Sequence, residues 1–99
     1  MSTSAFVTRN DGSLVVYQDA ADRLDYGIDH AGLLRNGDTI QSSTWSAVGG
    51  VVISDKGIVG SLVIAMLEGT MGIVRNHVTT ESGLQRVTTF CVEPPPTCA

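Results

Sequence analysis

Apolar and polar residues alternate along this chain in short runs, and no longer window repeats apolar positions at three and four without Gly, Ser or Thr intervening. A helix needs that three-and-four period to bury one face, whereas strict alternation buries one face of a strand. Turn-forming residues interrupt the runs at intervals of roughly 8 to 12 positions, the spacing of an all-β sandwich or barrel.

Seven strand segments follow from the pattern. Residues 13–18, SLVVYQ, open after Asn10-Asp11-Gly12, whose members adopt positive φ or bond their own backbone. Residues 24–28 place Leu24, Tyr26 and Ile28 on one face, with Asp25 and Gly27 on the other. Leu33 and Leu34 then fold inward in a turn or single helical turn before Asn36-Gly37-Asp38 reverses the chain. Residues 39–45 alternate Thr39, Gln41, Ser43 and Trp45 with Ile40, Ser42 and Thr44, and residues 51–54 run from Gly49-Gly50 to a close at Asp55-Lys56-Gly57. Residues 58–67 are apolar on both faces, Leu62, Ile64 and Met66 against Val63, Ala65 and Leu67, which suits a central strand or one covered by another chain. A turn at Glu68-Gly69-Thr70 leads to residues 71–80, with Val74, Asn76 and Val78 facing one way and Ile73, Arg75 and His77 the other. After Glu81-Ser82-Gly83, residues 84–93 set Val87, Thr89 and Cys91 against Thr88, Phe90 and Val92.

Seven antiparallel strands of this size predict an all-β fold, a single immunoglobulin-like β-sandwich over residues 12–93. Pro94, Pro95 and Pro96 cannot donate ladder hydrogen bonds and favour extended polyproline conformation. Residues 1–11 therefore read as an N-terminal arm and residues 94–99 as a C-terminal tail.

Length and composition narrow the function. A chain of 99 residues has room for one core, and with 42% hydrophobic but only 5% aromatic residues that core rests on Val, Ile and Leu. Ten acidic against six basic residues, with no basic cluster, argue against nucleic acid as a partner. No apolar run approaches the ~20 residues of a membrane-spanning helix. The first residues lack a basic start followed by an apolar run, so a soluble protein made in the cytosol is expected. Cys91 and Cys98 are expected as free thiols in that compartment.

The stretch 24–45 gathers Asp25, Asp29, His30 and Asp38, and so invites a chemical reading. General acid–base catalysis needs two groups converging on one atom, yet neighbours such as Asp29 and His30 on a strand point to opposite faces. No strand-to-helix elbow presents a nucleophile, and the expectation is a protein that is not an enzyme and needs no cofactor. Asp25, Asp29, Asn36 and Asp38 offer hard oxygens suited to calcium, although their spacing matches no EF-hand loop. Gly27, Gly32 and Gly37 fit no phosphate-binding pattern. Trp45 can fill a small core or anchor an interface. Asn76 on an inner face must either find hydrogen-bond partners or mark a face that is not closed. The candidate interface residues are Trp45, Val63, Leu67, Pro94, Pro95 and Pro96.

The order L-D-Y-x-I-D at residues 24–29, an apolar L-L, and N-G-D-T-I-x-S-S-T-W at residues 36–45 resembles a family of small bacteriophage virion proteins, the fibre-tail adaptors. L-x-G-T-x-G at residues 67–72 is similar to that family's L-x-G-G-T-x-G turn, and N-H-V-T-T at residues 76–80 to its N-x-I-T-T strand. The likeness spans residues 17–93, with His30 and Leu33 where tryptophan is common and Leu84-Gln85-Arg86 at an altered strand start. It implies a non-enzymatic, immunoglobulin-like virion module, assembled in the bacterial cytoplasm and present in symmetric homo-oligomeric copies. Such a module joins tail, connector, portal or capsid to fibres or neighbouring structural proteins. The alternative is a capsid decoration protein or a surface-displayed adhesion module for carbohydrate or calcium, suggested by the aspartate-rich loops and Trp45.

Overall fold

A computed structural model describes residues 6–95, and these form six strands and no helix. The strands are β1 (Val7–Thr8), β2 (Leu14–Tyr17), β3 (Arg23–Asp29), β4 (Ile40–Val59), β5 (Leu62–Thr80) and β6 (Gln85–Glu93). β4 and β5 make one long antiparallel hairpin, closed by Gly60 at φ 60° and Ser61, with Val59 paired to Leu62.

The other strands are arranged around β5. Its first half, from Leu62 to Glu68, pairs with β3, and its second half, from Gly72 to Thr79, pairs with β6. β6 runs parallel to β2, which pairs with β1. The sheet thus has a narrow limb, made of β3, the first half of β5 and the second half of β4. Its broad limb contains the first half of β4, the second half of β5, β6, β2 and β1.

The limbs meet at a glycine kink. The β4–β5 register shifts between Gly49 and Val51, and Gly49, Gly69 and Met71 have φ of 89°, 92° and 61°. A Cβ on Gly69 would lie 2.2 Å from the Gly50 carbonyl oxygen, and one on Gly50 would lie 2.4 Å from that of Thr70, so the two strands cross here with no room for side chains. The irregularity changes the parity of β5. Before it the buried residues are Val63, Ala65 and Leu67, and after it they are Val74, Asn76, Val78 and Thr80. A bulge re-aims a strand in this way, and both limbs consequently direct their apolar positions at one core.

That core joins Val16, Tyr26, Trp45, Val51, Leu67, Val74, Val78, Phe90 and Val92, mostly the β-branched residues that suit a pleated surface. Phe6 adds edge-on contacts to Phe90 and Tyr26, with ring centroids 4.9 and 6.2 Å apart. Within the segment read as an arm, the described residues therefore supply a core aromatic and β1.

Two buried polar contacts tie the limbs. At the kink, the Gln18 side-chain amide donates to the carbonyls of Gly69 (2.8 Å) and Leu67 (3.0 Å) and lies 3.3 Å from that of Asp22. Its oxygen accepts from the Tyr26 hydroxyl at 2.8 Å. Away from the kink, His30 Nε2 lies 3.2 Å from Asn76 Oδ1, and Asn76 Nδ2 donates to Ser43 Oγ at 2.9 Å. Because Oδ1 can only accept, Nε2 carries the imidazole proton, and the buried Nδ1 has no partner.

The all-β class expected from the alternation is the class observed, but its strand count and connectivity differ. There are six strands rather than seven, one pair is parallel, and the sheet is a single curled one. Residues 40–45 and 51–54 are parts of one strand, β4, because Gly49-Gly50 bends the strand without ending it. Asp55-Lys56-Gly57 is a second irregularity, with Asp55 at φ 48°, and the expected turn at Glu68-Gly69-Thr70 is the kink in β5. The reversal lies at Gly60-Ser61, inside the segment read as one strand. Bulges and turns use the same positive-φ residues, so local sequence does not show whether the chain bends or returns.

Candidate interaction surface

Alternation along a strand leaves each limb an outward face on the side away from the shared core. On the broad limb, the β4–β5–β6 register sets four rows side by side. Ser42 lies beside Thr79 and Gln85, and Thr44 beside His77 and Val87. Ser46 lies beside Arg75 and Thr89, and Val48 beside Ile73 and Cys91. Val48 is 65% exposed, Ile73 47% and Val87 45%, and none of these rows contains a carboxylate. Arg75 is exposed near the centre with no ion pair among the described residues, whereas His77 Nε2 lies 2.9 Å from Gln85 Oε1. Beyond the last row, Glu93 at the end of β6 is ion-paired with Arg9. Cys91 is a half-buried free thiol, and Cys98 lies outside the described residues.

On the narrow limb the register gives a face of different charge. Val52 lies beside Glu68 and Arg23, and Ser54 beside Met66 and Asp25. Gly57 lies beside Ile64 and Gly27, and Val59 beside Leu62 and Asp29. Val52 and Val59 are exposed, while Leu62, Ile64 and Met66 are half-buried. Asp29 and Glu68 accompany Arg23, which contacts Asp55 at 2.7 Å and Glu68 at 4.0 Å.

Two acidic residues of the 24–45 stretch, Asp29 and Asp38, serve local structure. Asp29 accepts from Ser61 Oγ (2.7 Å) and the Ala31 amide (2.9 Å), pinning the hairpin tip to the end of β3. Asp38 accepts from Ser82 Oγ (2.7 Å) and from the Ser82 and Thr39 amides, joining two turns. The serine hydrogen bonds, first among the causes, hold both carboxyl groups below their ordinary pKa. Asp29 is exposed while His30 is 1% exposed, the opposite orientation expected of strand neighbours. Among the described residues no three His, Cys, Asp or Glu side chains gather as a metal site would require.

Of the six candidate interface residues, Trp45 (7% exposed), Val63 and Leu67 (both 0%) are packed in the chain's own core. Pro94 and Pro95 are exposed after β6, and Pro96 lies outside the described residues. The side chains presented outward on the broad limb include Val48, Ile73, Val87 and Arg75. Alternation alone had already turned Ile73, Arg75 and His77 away from the core, but only the strand register shows which residues stand beside them.

The sequence profile of a family described as Podophage GP4 fiber-tail adaptor protein gp77 matches residues 18–93. The chain belongs to this family. A search among curated proteins finds no match. In this gp77-family adaptor the matched region begins at Gln18, the residue that holds the kink, and ends at Glu93, the last residue of β6. Both outward faces lie inside it, as do the kink and the His30–Asn76 contact, while β1 and β2 lie before it.

Proposed function

We propose that the protein is a non-catalytic structural component of a phage particle, an adaptor joining the tail or connector to fibres or neighbouring virion proteins. The observation that carries this reading is the family match across both limbs. The geometry supports it, because one shared core presents two exposed, partly apolar faces in different directions, as a joint between other proteins requires. Trp45, Asp29 and Asp38, which had suggested an adhesion or calcium module, are used inside the fold or in its turns. The protein is made in the host cytoplasm and enters the particle in several symmetric copies.

Mass spectrometry of purified virions tests the proposal. The chain is expected in a fixed ratio to the tail proteins, and particles made without it are expected to lack fibres by electron microscopy. Absence of the chain from infectious particles would overturn the assignment.

A further inference from the structure

We infer that the broad limb's outward face docks onto the narrow limb's outward face of a second copy of this chain. The inference does not depend on the adaptor reading, since purified protein alone can test it.

Charge is the first argument. The chain has ten acidic residues, yet none falls in the four broad-limb rows, where Arg75 is the one permanently charged side chain. The four narrow-limb rows contain Asp29 and Glu68 against Arg23, which is itself held by Asp55. Both faces also expose apolar side chains, Val48, Ile73 and Val87 on one and Val52 and Val59 on the other. The same chain thus carries an apolar face with a positive centre and an apolar face with negative excess.

Symmetry follows from that asymmetry. A two-fold dimer through either face alone would place like charges opposite one another, which costs affinity. Broad face against narrow face sets opposite charges together. Because the two faces look away from one core, the contact leaves one face of each kind open in every pair. It is therefore heterologous and repeats into a ring or an open filament.

The free edge of β4 is a poorer contact. Three register irregularities interrupt its ladder, between Ile40 and Ser42, Gly49 and Val51, and Ser54 and Gly57. Bulges of this kind blunt an edge against strand addition. The broad-limb face, in contrast, keeps regular rows from Ser42 to Val48, and on the narrow limb β3 and the first half of β5 pair without a shift.

Each face is three strands wide and at usual strand spacings measures ~10 by ~20 Å. The area buried by one contact falls below the ~1,200 Å² of a stable standard interface. Association is accordingly weak in dilute solution and grows at the high local concentration of an assembling particle.

Sedimentation velocity on the purified full chain tests the inference. Between ~10 μM and ~1 mM, species larger than the monomer are expected to accumulate, and to recede in ~0.5 M salt as charge is screened. Arg75→Glu, an exposed change that leaves the melting temperature unaltered, is expected to weaken association ~10-fold or more. The double variant Val52→Lys, Glu68→Lys is expected to do the same from the other face. Mixed together, the two variants are expected to associate again, because each retains the face the other lacks and the two reversed faces carry opposite charges. A chain that stays monomeric through ~1 mM overturns the inference. So does association unaffected by either variant, or a mixture of the two that fails to pair.

Discussion

Gln18 and His30 do the same mechanical work at different places. Each is almost completely enclosed, at 0% and 1% exposure, and each ties the narrow limb to the broad one through a polar side chain. They differ in how fully they are satisfied. Gln18 uses its amide nitrogen on backbone carbonyls and its oxygen on the Tyr26 hydroxyl. His30 uses one ring nitrogen on Asn76 and leaves the other enclosed without a partner. A buried polar group stabilises only when its hydrogen bonds are made, so the first contact is permanent and the second is conditional on protonation.

Breaking the kink that Gln18 holds has the largest expected effect. Gly69→Ala places a Cβ 2.2 Å from a backbone oxygen at φ 92°, and the expected cost is ~3 kcal/mol or more. Circular dichroism and urea melts would read this as an unfolded or strongly destabilised chain. Gln18→Leu comes next. It leaves the carbonyls of Leu67 and Gly69 and the Tyr26 hydroxyl enclosed without their partner, for a loss of ~2–4 kcal/mol in urea unfolding. Adding Tyr26→Phe to that variant is expected to cost less than the same change in wild type, since the orphaned hydroxyl goes with it.

The smallest effect is the one that separates the two contacts. Burial, the largest cause, lowers the His30 pKa below its ordinary 6.5, partly opposed by the hydrogen bond to Asn76. The unfolded chain therefore takes up a proton near the ordinary value while the folded chain resists it. Stability from this residue is complete above that value and falls as pH drops below it, by at most ~1.4 kcal/mol per pH unit. Melting temperatures measured from pH 7.5 down to about 5 are expected to decline in wild type and to flatten in His30→Gln. The Gln18 contact contributes no such slope, because an amide does not titrate.

Much of this arrangement was legible in the sequence. Alternation correctly turned Val74, Asn76 and Val78 inward, and Phe90 and Val92 are buried as an alternating strand requires. Asn36-Gly37-Asp38 and Glu81-Ser82-Gly83 are turns. The dilemma posed by Asn76 resolves through side chains, His30 and Ser43, that are far away in sequence. The pairing of β2 with β6 was hidden for the same reason, since their partners lie more than 70 residues apart and parallel pairing leaves no local turn signal. Asp55, Gly69 and Met71 show the other limit, because a bulge and a reversal ask for the same residues. The outward faces needed register, which places Arg75 between Ser46 and Thr89, and no single strand carries that information.

β5 is paired on both flanks through most of its length, first between β3 and β4 and then between β6 and β4. One continuous stretch of backbone thus passes beneath both outward faces. A pull applied to one face and resisted at the other travels along covalent bonds, and the ladders on either side are sheared together instead of being peeled one rung at a time. Such a strut is stiff along its length. Any flexing it permits is concentrated where Gly49, Gly50, Gly69 and Gly72 cross, which makes that crossing the elbow of the sheet.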